Sequence, residues 1–115
     1  MHMNAALLMG NPCDEEEDDL ALLCCQGTEG EMLLLSRAPD EDEVELVWDE
    51  QAIGVRGLKV TLSAERLWVE LPADAEAPFS AAVIRVNLAD ALADLDDAHA
   101  ALEVILNGRG TLVRE

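Results

Sequence analysis

The chain has little of what most enzymes and nucleic-acid-binding proteins use. Its 115 residues include no tyrosine, one phenylalanine, two histidines and only seven lysines and arginines, against 25 acidic residues. With a formal net charge of −18, it repels phosphates and anionic lipid surfaces and attracts basic proteins. We therefore expect a protein partner, and neither a nucleic-acid nor a membrane partner.

Long apolar runs are also missing, since no stretch approaches the roughly 20 residues of a membrane-spanning helix. The three cysteines, Cys13, Cys24 and Cys25, are an odd number with an adjacent pair, which fits neither a disulfide framework nor a zinc site. This pattern predicts free thiols in a reducing compartment. We expect a cytoplasmic protein.

The sequence lacks the patterns of known catalytic and cofactor sites. Gly54 and Gly57 have neither the lysine nor the spacing of a phosphate-binding loop, and no serine lies in a Gly-x-Ser-x-Gly context. The acids that begin at Asp40 lack the glycine and the final acid of an EF-hand loop. His99 is the one imidazole within the predicted fold, where a partly exposed polar role is the simpler interpretation. We expect no enzymatic activity, no cofactor and no metal site.

Half of the residues are apolar, which is enough for one hydrophobic core and predicts one folded domain. Six consecutive acids occupy residues 14–19, and both solvated charge and a flexible segment account for them. We divide the chain into an acidic N-terminal segment, residues 1–19, for which flexibility is one alternative, and a single α+β domain over residues 20–115.

Apolar segments predict a series of strands. Residues 20–25 and 32–35 are apolar runs on either side of a glycine-bearing loop, which predicts a buried hairpin. Apolar residues recur at every second position of residues 44–48, which predicts a strand that directs Trp48 toward the core. Residues 51–57 contain two glycines and predict a connecting loop. The other predicted elements are a loop over residues 72–78, a strand over 82–88 and a short edge strand over 111–113.

The register of one hairpin follows from its sequence. Pairing Leu62 with Leu67 across a four-residue loop keeps the apolar side chains of both strands on one face. A three-residue loop would instead place the apolar side chains of one strand opposite the polar side chains of the other. The same register places residues of opposite charge across from each other on the other face. That outward face is predicted to contain Lys59, Trp68, Glu70 and Arg85.

The hydrophobic period changes to that of a helix near the C-terminal end. Apolar residues recur every three or four positions up to Asn107-Gly108, and Asp90 and Asp94 are both candidates for the N-cap. Strands followed by a helix, without strand–helix alternation, predict an α+β domain. We expect a mainly antiparallel sheet of about five to seven strands, with the C-terminal amphipathic helix packed on one face.

Two surfaces are candidates for binding a protein. An exposed tryptophan beside an arginine has the composition of an interface hot spot, so the face around Trp68 is one candidate. The acid-rich stretch over residues 40–45 is the other, because exposed carboxylates can steer a basic partner toward the chain. The candidate partner-binding residues are Asp40, Glu41, Asp42, Glu43, Glu45, Lys59, Trp68, Glu70 and Arg85.

Several segments also carry a family resemblance. They are MLLLSR (residues 32–37), VWDEQ (47–51), LKVTL (58–62) and RLWVEL (66–71), followed by a strand and an acidic amphipathic helix. Over residues 20–110 the chain resembles bacterial polymorphic-toxin immunity proteins of the immunity protein ten family. The resemblance implies an α+β antitoxin that binds and neutralises a cognate toxin encoded beside it.

We therefore expect a stoichiometric inhibitor of a toxin domain. A nuclease is one candidate toxin, because a cleft that binds phosphates is basic and an acidic partner complements it. The alternative is an acidic structural or adaptor subunit that self-associates, for example as a homodimer, or joins a larger complex.

Overall fold

The computed structural model describes residues 2–14, 19–72 and 83–115, which form ten strands and one helix. The elements are β1 (His2–Asp14), β2 (Leu20–Gly27), β3 (Met32–Arg37), β4 (Val44–Trp48), β5 (Gln51–Val55), β6 (Leu58–Leu62), β7 (Arg66–Glu70), β8 (Val83–Asn87), β9 (Leu92–Ala93), α1 (Leu95–Leu106) and β10 (Gly110–Arg114). The strands form one sheet in the order β10-β6-β7-β8-β1-β2-β3-β4-β5, with β9 beside β1.

The sheet is mixed and larger than predicted. Strands account for 59% of the described residues, and β1 with β8, β1 with β9 and β6 with β10 are parallel pairs. The prediction of an α+β domain with a mainly antiparallel sheet of five to seven strands is therefore wrong. Hydrophobic periodicity identifies a strand but does not reveal which distant strand lies beside it, so these parallel pairs were not predicted.

Strand β1 joins the two parts of the sheet. Its residues 2–4 pair in parallel with β8, and most of its remaining length pairs in antiparallel with β2. The register shifts between Ala5 and Leu7 and again after Asn11, so the strand carries bulges at which its inward side changes. This strand was not predicted from the sequence, because the bulges remove the period-two pattern by which a strand is recognised.

Some predictions fall partly outside the described residues. Of the acidic N-terminal segment predicted over residues 1–19, residues 2–14 belong to β1, and residues 15–18 lie outside the described part of the chain. The loop predicted over residues 72–78 and the start of the strand predicted over 82–88 overlap residues 73–82, which are likewise not described.

The prediction of a loop over residues 51–57 is wrong, because β5 occupies most of it. A two-residue turn at Asp49 and Glu50 connects β4 to β5, and Asp49 adopts a positive φ of 54°, which aspartate tolerates better than most residues. Gly54 weakened the strand pattern in the sequence. Its position on the end strand of the sheet explains why it is tolerated there.

The predicted register of the β6–β7 hairpin is confirmed. Leu62 lies opposite Leu67, and Lys59 lies opposite Glu70. The hairpin of β2 and β3 and the alternation of β8 are confirmed as well. Trp48 packs against the core from the end of β4, where it is half-buried.

One core lies between the inner face of the sheet and α1. The helix contributes Ala98, Leu102 and Ile105, all fully buried, and it contacts β1 most extensively. Gly10 lies where β1 and α1 approach most closely, because a Cβ atom there would be 2.6 Å from the carbonyl oxygen of Asp97. Burial of each large aliphatic side chain stabilises the fold by about 1.5–3 kcal/mol.

Helix α1 begins after Asp94, which decides between the two predicted caps. The Asp94 carboxylate accepts a 3.1 Å hydrogen bond from the backbone N–H of Asp97, and Leu92–Ala93 form β9. Repulsion from the Asp94 carboxylate, together with a side-chain hydrogen bond to it, raises the pKa of Asp97. Among the described residues, no helix has both the length and the apolar character needed to cross a membrane.

Candidate functional site

Trp68 lies on the outer face of the sheet, as its register predicts. Its half-buried indole lies between two arginines, with the guanidinium carbon of Arg66 4.6 Å and that of Arg85 5.8 Å from the ring centre. Both distances allow cation–π attraction, worth about 0.5–1 kcal/mol at an exposed site. Arg85 takes this position because it lies directly opposite Trp68 in the β7–β8 pairing.

The residues around Trp68 give this face a basic and aromatic character. Lys59 Nζ lies 3.8 Å from a carboxylate oxygen of Glu70, and Arg66 forms a 3.0 Å ion pair with Glu115. Arg85 forms no ion pair with any residue that the structure describes. We refer to Lys59, Arg66, Trp68, Glu70 and Arg85 as the Trp68 face.

The acid-rich stretch over residues 40–45 does not act as one group. Arg109 Nη2 lies 3.1 Å from one carboxylate oxygen of Asp42, and Arg56 Nη2 lies 3.7 Å from the other. Arg37 donates a 3.1 Å hydrogen bond to the backbone carbonyl of Glu41 and so holds the loop before β4. Asp42 is therefore neutralised locally, and the exposed Asp40 lies in the same loop.

The remaining three predicted acids border the end strand of the sheet. Glu41, Glu43 and Glu45 are exposed, and none of them forms an ion pair with a residue in the described ranges. The Glu43 carboxylate lies over Gly54, since a Cβ atom there would be 3.2 Å from one of its oxygens. We refer to the groove lined by Glu41, Glu43, Glu45, Ala52, Ile53 and Gly54 as the acidic groove.

An apolar row on the outer face of the sheet ends at this groove. Ala52 is paired with Val47, and the register continues through Leu34 and Cys24 to Met9 on β1. Met9 is 49% exposed, and the three central side chains are half-buried. We refer to Met9, Cys24, Leu34, Val47 and Ala52 as the apolar row.

The apolar row was not predicted from the sequence, because both of its ends lie on unpredicted strands, β1 and β5. A signal was nevertheless present. Residues 20–25 and 32–35 are continuously apolar and do not alternate, so they place apolar side chains on both faces of the sheet.

The two candidate surfaces lie on different parts of the sheet. Four strands separate β4, which carries Glu45, from β7, which carries Trp68. At about 4.8 Å per strand, the path between them along the curved sheet is roughly 24 Å. The structure therefore does not bring the predicted partner-binding residues together in one patch.

The thiols of Cys24 and Cys25 and the imidazole of His99 have local surroundings that fit a role in the structure. Burial, assisted by the adjacent Cys24 thiol, raises the pKa of Cys25 to about 12, and burial also raises the pKa of Cys24. Both thiols are therefore protonated and weakly nucleophilic at neutral pH. His99 Nδ1 lies 3.3 Å from the Glu103 carboxylate, one helical turn away.

The acidic groove and the Trp68 face together contain seven of the nine predicted partner-binding residues. Within residues 2–14, 19–72 and 83–115, no three His, Cys, Asp or Glu side chains converge as metal ligands. Comparison with protein-family models, with curated proteins and with solved structures found no significant match to this chain.

Proposed function

We propose that this chain is an immunity protein, an antitoxin that binds a cognate toxin protein and blocks its activity by direct contact. The resemblance of residues 20–110 to the immunity protein ten family supports this proposal. The acidic groove carries the structural argument, because Glu41, Glu43 and Glu45 have no counter-ion among the described side chains. A basic protein partner would supply those counter-ions.

The apolar row beside the groove provides apolar surface that such a partner would bury on binding. Exposed carboxylates accelerate association with a basic surface, but salt screens them over about 8 Å at physiological ionic strength. Apolar contacts add about 25 cal/mol for each Å² buried and are not screened. The combination of Glu45 with the neighbouring Val47 and Ala52 therefore suits fast association followed by a stable complex.

A nuclease toxin fits this chemistry best. Enzymes that cleave nucleic acids bind phosphates with basic clefts, and the net charge of −18 on this chain complements such a cleft. Cys24 and Cys25 form no disulfide with a described residue, which suits a reducing compartment, so we propose that the complex forms in the cytoplasm.

A second candidate function is that of an acidic structural or adaptor subunit. The half-exposed Trp68 between two arginines favours it, because such a face resembles the anchor of a protein interface. In this alternative the Trp68 face binds another copy of the chain or a subunit of a larger complex, and no activity is inhibited.

The proposal is tested by affinity capture followed by an inhibition assay. The tagged chain is used to capture partners from its source cells, and bound proteins are eluted with a salt gradient and identified by mass spectrometry. We expect one near-stoichiometric partner whose expression arrests growth and whose activity is lost when the purified chain is added. Recovery of the chain alone, or of a partner whose activity is unchanged, would favour the adaptor.

Two variants that remove the same number of charges show whether the acidic groove takes part in binding the partner. The triple variant Glu41→Gln, Glu43→Gln and Glu45→Gln removes the carboxylates of the groove. The control variant Asp90→Asn, Asp96→Asn and Glu103→Gln removes three exposed carboxylates on or near α1. We expect the association rate and its salt dependence to fall in the first variant and to remain closer to wild type in the second. Equal effects would mean that net charge, and not the groove, governs association.

A further inference from the structure

Strand β5 is an end strand of the sheet with a free backbone edge. It pairs with β4 alone, and its backbone forms no other hydrogen bond within the described ranges. Trp48 and Gln51 flank the two-residue turn, and in such a hairpin the two flanking residues form both hydrogen bonds with each other. In an antiparallel pair of strands, hydrogen-bonded pairs then alternate with pairs that form no hydrogen bonds to each other. The N–H and C=O groups of Ala52 and Gly54 therefore point away from β4.

This edge lacks the features that usually prevent strand addition. Gln51–Val55 contains no charged residue and no proline, and its register with β4 runs without a bulge. The strand at the other end of the sheet, β10, differs because α1 packs against it and because it carries Arg114, which lies 3.8 Å from Asp96. Of the two end strands, β5 is thus the one prepared to accept another strand.

The residues around β5 indicate which charge an added strand should carry. Glu43 and Glu45 lie on the outer side of the edge, and Asp49 and Glu50 form the turn before it. The nearest cation in sequence, Arg56, contacts Asp42. An incoming strand with lysine or arginine on its outer side would pair with these carboxylates, and apolar residues on its inner side would pack beside Ile53, which lies on the core side of β5.

We propose that the free edge of β5 accepts an extended, lysine- or arginine-bearing strand of a partner protein, which extends the sheet through main-chain hydrogen bonds to Ala52 and Gly54. The inference rests on the proposed function in taking the partner to be a basic protein, and it adds the mode of docking. A second copy of this chain is a poor occupant, because pairing β5 with itself brings the Glu43 and Glu45 carboxylates of two chains together, each with a net charge of −18.

The test uses the full chain, labelled with ¹⁵N, and a short capped peptide that alternates lysine with valine. We expect the amide signals of Ala52 and Gly54 to shift and their hydrogen exchange to slow when the peptide binds. A peptide that alternates glutamate with valine should not bind. Absence of these changes with the basic peptide would overturn the proposal.

One substitution blocks the edge while sparing the fold. Ala52→Pro removes an outward N–H that β4 does not use, and proline is tolerated on an edge strand in this position. We expect the peptide to bind this variant at least tenfold more weakly, and to bind the control variant Ala52→Thr like wild type. If Ala52→Pro fails to fold, a peptide N-methylated at every residue, so that neither of its edges can donate a hydrogen bond, gives the same test with the wild-type chain. Full binding by that peptide or by the proline variant would overturn the proposal.

The inhibition assay separates this inference from the proposed function. A toxin that is inhibited equally by wild type and by Ala52→Pro would overturn strand addition and leave the immunity function intact. Peptide binding without any inhibited toxin would overturn the immunity function alone. A wild-type dimer that sedimentation shows to dissociate in Ala52→Pro would make a second copy the occupant and overturn the basic partner.

Discussion

The Arg37 guanidinium holds the C-terminal end of α1 by donating a 2.8 Å hydrogen bond from Nη2 to the carbonyl oxygen of Val104. Its Nε donates to the carbonyl of Ile105 at 2.9 Å. The last turn of α1 has no basic residue of its own, so Arg37 supplies the cation that suits the negative end of the helix dipole. One side chain at the end of β3 thereby links the helix, the sheet and the loop that leads to the acidic groove.

We expect Arg37→Ala to lower the free energy of unfolding by about 2 kcal/mol, because the carbonyl groups of a partly buried helix end lose a charged donor. The matched control is Arg114→Ala, whose 3.8 Å contact with Asp96 is exposed and should contribute less than about 1 kcal/mol. Urea unfolding followed by tryptophan fluorescence measures both. Equal losses in the two variants would show that Arg37 does not hold the helix.

Gly10→Ala should destabilise the fold by about 1–3 kcal/mol, because the new methyl group would press against the backbone of Asp97 and Ala98. Gly54→Ala is the control, since the new methyl group there meets only the flexible Glu43 side chain. We expect a smaller loss of stability in the control, measured by the same unfolding experiment. A Gly10→Ala variant as stable as wild type would contradict the close approach of β1 and α1.

Stability should fall with rising pH between about 9 and 12 because of Cys25. Burial raises the pKa of its thiol from 9.0 to about 12, so the folded state keeps a proton that the unfolded state loses over this interval. The contribution is complete below pH 9 and declines by up to about 1.4 kcal/mol per pH unit above it. The chain has no tyrosine, and Cys24, whose pKa burial also raises, adds a contribution of the same sign.

The measurement is urea unfolding at several pH values from 8 to 11, compared among three proteins. Cys25→Ala should flatten the decline, whereas Cys13→Ala, at an exposed position, should retain it. An unchanged slope in Cys25→Ala would assign the pH dependence to other groups.

Trp68→Ala tests the other candidate surface. A tryptophan beside arginines has the composition of an interface hot spot, whichever partner the chain captures. We expect the variant to stay folded and to bind the captured partner roughly 30-fold more weakly, a loss of about 2 kcal/mol. Binding of the basic peptide to β5 should not change. Wild-type affinity for the partner would remove Trp68 from the interface.

Local patterns in the sequence were enough to predict the parts of the fold that depend on neighbouring residues. The β6–β7 register followed from the constraint that Leu62 and Leu67 share a face, and the outward position of Trp68 followed from that register. The helix followed from apolar residues at steps of three and four, but only the structure identifies Asp94 as its N-cap.

What could not be predicted depends on contacts between distant segments. The bulges of β1 hid its alternation, and only its position between β2 and β8 shows why it is a strand. The acidic groove requires β5, whose glycine indicates a loop when the sequence is taken alone. The predicted residues Glu41, Glu43 and Glu45 therefore lie in a candidate site whose other half, the strand edge, was missed.

The parallel pairing of β1 with β8 affects when the chain can complete its fold during synthesis. Met3 lies beside Val86, about eighty positions later, so a ribosome makes most of the chain before the first strand can gain its second neighbour. Until then β1 can pair with β2 alone, and Met3 has no core to enter. Such non-local pairing slows folding and leaves apolar surface of β1 exposed until β8 has been made.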